Sequence, residues 1–102
     1  MKNQIVLGTV QFGIDYGIAN KTGKPDQAKI NEIIRMAWEA DIREFDTAQD
    51  YGISEKVLGN TFTKLGISSK VKVISKINPE IDHCDKTAMT IALDKSLEKL
   101  GI

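Results

Sequence analysis

Three short β-rich runs alternate with three helical stripes along this chain, and that alternation narrows the possible folds more than any other feature. Residues 5–10, 42–48 and 71–77 read as strands, because they are short, rich in β-formers and bounded by turn residues. Ile30, Ile33, Ile34, Ala37 and Trp38 recur at i, i+3, i+4, i+7 and i+8, the spacing of one apolar helix face. Leu58, Phe62 and Leu65 form a second stripe. Met89, Leu93, Leu97 and Leu100, with Ala92 beside them, form a third. A helix with one apolar stripe packs on a sheet and leaves its other side in water. Strands alternating with such helices build parallel βαβ units with right-handed crossovers. The fold class is α/β.

Punctuation residues set the boundaries. Asp26 is placed to cap the first helix, which runs to about Ala40, and Ser54 to cap the second, which ends near Leu65 before Gly66. Glu55 in the first turn of that helix suits the positive end of its dipole. A third helix runs from about Asp85 to Leu100, closed by Gly101. Gly59 inside a helix costs on the order of 1 kcal/mol against Ala, so close packing is the reason for it. The first strand suits burial on both faces, as parallel sheets require. Residues 12–25, broken by Gly13, Gly17, Asn20, Gly23 and Pro25, form a loop of a length usually tied to function or mobility.

Composition excludes several roles. The chain has 102 residues, enough for one small domain, with 14 basic and 14 acidic side chains. A balanced charge gives no field to steer it to nucleic acid or an anionic membrane. No apolar run approaches the roughly 20 residues of a membrane span, and the start lacks the apolar core of a signal peptide. Cys84 has no second cysteine to pair with, and one Cys with one His, His83, makes no metal set. These features point to a soluble, cytoplasmic protein in a reducing compartment, with Cys84 expected as a buried thiol.

The chemistry gathers at one corner. Gly8 and Gly13 have the spacing of a P-loop, but Ile14 and Asp15 replace its Lys-Ser/Thr; G-x-G-x-x-G and G-x-S-x-G are both absent. Asp46 ends the second strand, Tyr51 lies in the loop after it and Lys76 ends the third strand. Neighbouring parallel strands lie about 5 Å apart, so the three can converge. A phenol is a poor acid, with an ordinary pKa of about 10. A nearby ammonium favours the phenolate, and a carboxylate keeps that ammonium charged and oriented. Together they form a proton donor for a carbonyl oxygen as it gains negative charge. The same residues also suit a packed tyrosine beside a solvated Lys–Asp pair.

Leu7-Gly-Thr-Val-Gln-Phe-Gly13, Phe45-Asp-Thr-Ala-Gln-Asp-Tyr-Gly-Ile-Ser-Glu-Lys-Val-Leu-Gly59 and Val73-Ile-Ser-Lys-Ile77 resemble the opening of the aldo/keto reductase superfamily. The resemblance implies the first three βα units of a (β/α)8 TIM barrel, with residues 1–102 as its amino-terminal part, truncated before strand four. It implies NADPH-dependent reduction of a small-molecule aldehyde or ketone, with no metal. Asp46, Tyr51 and Lys76 match three members of a catalytic tetrad: Tyr51 as general acid, Lys76 easing release of its proton, Asp46 holding Lys76. Gly8 and Thr9, with Asp46, match positions at the nicotinamide end of the cofactor site. The fourth member, a His at the end of strand four, has no counterpart here. His83 sits in the loop after strand three and is expected at the surface. Such barrels run about 250 residues, and three parallel strands cannot close. Open edges then invite self-association, and the chain alone is expected to be inactive. The alternative is a non-catalytic remnant or an interaction fragment.

Overall fold

The computed structural model describes residues 5–14 and 25–102. The elements follow one another as β1 (Val6–Gly8), α1 (Val10–Gly13), α2 (Gln27–Glu39), β2 (Glu44–Asp46), α3 (Ser54–Leu65), β3 (Lys72–Ile74) and α4 (Lys86–Leu100). The strands form one parallel sheet in the order β1-β2-β3. Three parallel strands alternating with helices make an open sheet, the α/β arrangement that the sequence predicts. The expected loop over residues 12–25 falls largely outside the described residues. Its described beginning is the tail of α1.

Successive strand residues face opposite sides of a sheet, and the register shows what each side does. Leu7, Phe45 and Val73 lie side by side and turn towards the helices. Phe45 is fully buried against Phe62, with ring centroids 5.2 Å apart. Ile30 and Ile34 of α2 and Val57, Leu58 and Phe62 of α3 complete this core. The rows on the other side, Val6–Glu44–Lys72 and Gly8–Asp46–Ile74, meet no second layer among the described residues. The expectation that the first strand is buried on both faces therefore fails. Ile5 and Val6 are exposed, because only one face of the sheet is covered. The strand is also shorter than expected. Thr9 makes the last ladder bond to Asp46 O at 3.0 Å, and Phe12 N–H then turns back to Thr9 O at 2.9 Å.

Asp26 caps α2 as expected, accepting from Lys29 N at 2.8 Å, and Asp85 caps α4, accepting from Ala88 N at 3.0 Å. Gly66 and Gly101 end α3 and α4 in the left-handed region. Gly59 is indeed a packing residue: a Cβ there would lie 2.0 Å from Lys99 O. That approach decides which face of α4 is buried. Ala92, Ser96 and Leu100 go inward, while Leu93 and Leu97 are exposed. The apolar stripe expected on this helix is thus mostly outside the core, since the small-residue row is the one that fits against α3. Cys84 is exposed, so the buried thiol is also corrected; its loop carries no hydrophobic layer.

Candidate active site

Backbone fixes the corner after β2 before any side chain acts. The β2–β3 ladder continues beyond the strands through Thr47 N to Ile74 O at 2.8 Å and Gln49 N to Lys76 O at 2.9 Å. A tight turn follows, with Tyr51 N donating to Ala48 O and Ser54 N to Tyr51 O. Helix α1 packs on this turn backbone to backbone. A Cβ on Gly13 would sit 1.6 Å from Tyr51 O, and one on Gly52 would sit 2.4 Å from Gly13 O. Gly52 also has φ +57°, which a side chain would oppose.

Beneath the turn lies a buried knot of hydroxyls. Thr9 Oγ1 donates to Asp46 O at 2.8 Å and lies 2.9 Å from Ser54 Oγ, and Thr47 Oγ1 donates to Ser54 Oγ at 2.8 Å. All three residues are buried. Ser54 is therefore not the cap it was expected to be. Ile53 holds the N-cap position without a side-chain bond, because the serine hydroxyl satisfies two buried threonines. Glu55 stands in the first turn of α3 as expected; it is buried and accepts from Ser75 Oγ at 2.8 Å.

Asp46, Tyr51 and Lys76 do come together. Lys76 Nζ lies 2.5 Å from Asp46 Oδ1 and 5.2 Å from the centre of the Tyr51 ring. The hydrogen bond to Asp46 raises the Lys76 pKa above its ordinary value against partial desolvation, with smaller contributions from the charge of Asp46 and from Tyr51. The lysine is thereby held as a cation. The three residues line a hollow of about 330 Å³ together with Val6, Gly8, Thr9 and Val10, within the size range of small-ligand sites. Gly8 is an open floor, with nothing within 4 Å of where a Cβ would stand.

His83 lies apart from this hollow, exposed on the loop before α4. Its donor atoms and those of Asp82 and Cys84 lie within 4.8 Å of one another, a grouping that the sequence reading did not anticipate. Gln49 was missed altogether. Its side chain bonds α4 and the loop after β3, and partners 29 to 47 residues away leave no local signal. No described helix is long and apolar enough to cross a membrane.

The model of the "Aldo/keto reductase family" matches residues 4–102. The chain belongs to the aldo/keto reductase family. Among solved structures, one assigned as an aldo-keto reductase of Pseudomonas aeruginosa is 28% identical over 94% of this chain, with a TM-score of 0.79. A second from the same organism is 27% identical over 94%, with a TM-score of 0.76. One assigned as a 2,5-diketo-D-gluconic acid reductase B is 27% identical over 93%, with a TM-score of 0.64. The chain spans 38%, 36% and 28% of those three structures. No curated protein matches it. An aldo/keto reductase is an oxidoreductase, and its barrel presents side chains at the carboxyl ends of the strands, where this hollow lies.

Proposed function

We propose that this chain carries the proton-donating corner of a cytoplasmic aldo/keto reductase that reduces an aldehyde or ketone with NADPH. The observation that carries this reading is one hollow holding the Asp46–Lys76 pair with the Lys76 ammonium beside the Tyr51 ring. Tyr51 is the general acid, giving its proton to the carbonyl oxygen as negative charge develops there. Lys76 stabilises the phenolate left behind, and Asp46 keeps Lys76 charged and in place.

The hollow fits the reactive end of a nicotinamide cofactor. Gly8 leaves its floor clear, so a planar ring could lie near Asp46 and Tyr51, with Gly8, Thr9 and Asp46 holding that end. The Thr9 hydroxyl is bonded inward, and its N–H and carbonyl are taken by Asp46 O and Phe12 N–H, so Thr9 would contribute by shaping the wall of the hollow. When bound, the cofactor supplies the hydride. Among the described residues lining the hollow, Lys76 is the one cation and is paired, so the cofactor phosphates need groups from elsewhere in the barrel. The barrel's remaining strands would also supply the fourth tetrad residue and cover the open sheet face. On this reading the 102 residues alone reduce no carbonyl and associate through the β1 and β3 edges.

Tyr51→Phe in the intact protein tests the assignment. Turnover should fall by about 10²–10⁴-fold, with NADPH affinity measured by fluorescence titration largely kept. Lys76→Met should depress turnover as well. Unchanged turnover in Tyr51→Phe removes Tyr51 from its role.

A further inference from the structure

Lys76 lies two residues beyond the end of β3, where the ladder to the chain after β2 reaches it by a single bond, Gln49 N to Lys76 O. Asp46 is fixed by the β1 and β3 registers on either side and by Thr9. The segment carrying Lys76 has a different support. Gln49 N donates to Lys76 O at 2.9 Å, and Gln49 Oε1 accepts from Asn78 N at 2.8 Å. One residue thus grips the chain at two points, the Lys76 carbonyl and the Asn78 amide two residues on. Its Nε2 donates to Ala92 O at 2.7 Å and to Ser96 Oγ at 2.8 Å, and both of those residues are buried in α4.

The amide has one orientation that works. Rotated by half a turn, it would set its NH2 against the Asn78 N–H and its oxygen against the Ala92 carbonyl, two repulsive pairs in place of two bonds. A hollow of about 370 Å³ lies beside it, lined by Gln49, Asn78, Ile81 and Ala92 among others. A shorter or apolar residue at 49 would admit water to compete for Asn78 N–H.

The geometry points to Gln49 as a positioning residue that holds Lys76 in reach of Asp46 and Tyr51 by clamping residues 76–78 to the loop after β2 and to α4. It rests on the role proposed above for Lys76. A residue that only docks α4 would stabilise the fold without moving Lys76, and the two roles separate by experiment.

Gln49→Met in the intact protein keeps the side chain's length and removes its three bonds. Exchange of the Asn78 amide should accelerate about tenfold. The Lys76 titration, followed by NMR at its ε-carbon, should move back towards the ordinary lysine value as Asp46 loses its hold. kcat should fall about ten- to a hundredfold, with KM changed by less than about twofold. Ser96→Ala removes one α4 bond and should leave all these readouts in place. Gln49→Glu keeps an acceptor for Asn78 N–H and should retain the slow exchange of that amide.

A Lys76 titration and kcat unmoved in Gln49→Met would make Gln49 a helix-docking residue only. If Gln49→Met does not fold, loss of Asn78 protection in Gln49→Glu, or a kcat loss in Ser96→Ala as large as in Gln49→Glu, overturns the assignment. Amide exchange and the Lys76 titration need no turnover. Failure of the proposed reaction would therefore appear in Tyr51→Phe, apart from these results.

Discussion

Leu7, Phe45 and Val73 lie side by side across the sheet, and so do Gly8, Asp46 and Ile74 one residue further on, yet the two rows have opposite surroundings. The first faces α2 and α3 and is anchored by Phe45 at 0% exposure. The second faces the open side, with Ile74 41% exposed and Asp46 drawn to Lys76. A single step along β2 separates the residue that holds the fold from the residue that carries the chemistry. Packing density governs the first row. Hydrogen bonds and glycine contacts at the carboxyl ends position the second.

The difference breaks most visibly by cavity. Phe45→Ala should destabilise the chain by about 3–5 kcal/mol, read from the urea midpoint. Val6→Ala, on the open face, should stay within about 0.5 kcal/mol of the parent. Equal losses would mean that a second layer covers the open face. Gly13→Ala tests the corner instead. Its Cβ would stand 1.6 Å from Tyr51 O, an atom that cannot move without carrying the Tyr51 turn with it. Overpacking of this kind costs about 1–3 kcal/mol. An unchanged midpoint together with unchanged Tyr51 and Gly52 amide shifts would show that α1 does not pack on the turn.

The covered row was legible because it rests on periodicity. Ile30, Ile34, Leu58 and Phe62 repeat at helical spacing, and each is buried. Asp46, Tyr51 and Lys76 were legible because parallel βα topology brings consecutive strand ends together. What failed depended on one helix approaching another. Nothing in the spacing of Met89, Leu93, Leu97 and Leu100 shows that Lys99 O closes on Gly59 and turns Ala92 and Ser96 inward. Ser54 misled for a related reason: its hydroxyl suits a cap locally, but Thr9, 45 residues earlier, claims it. Gln49 stayed hidden because an amide shows its partners only once α4 has docked.

The smallest effect belongs to the open row and tests whether its ion pair matters to folding at all. Lys76 binds its proton more tightly in the folded chain than at the ordinary lysine value of 10.5, chiefly through its hydrogen bond to Asp46. Below that value both folded and unfolded chains keep the proton, and the stabilisation is fully present. As pH rises past it the unfolded chain loses its proton first, and the contribution disappears through the higher, folded value. Both side chains are partly exposed, Lys76 at 49% and Asp46 at 39%, so solvent screens the pair and its worth stays within about 0–1 kcal/mol. Urea midpoints of the parent and Lys76→Met should differ by that small amount near neutral pH and converge as pH rises beyond the raised, folded value of Lys76, the gap also narrowing in about 1 M salt. A gap that persists unchanged at high pH and high salt would assign the stabilisation to packing of the lysine stem, and the pair at the mouth of the hollow would then contribute to chemistry alone.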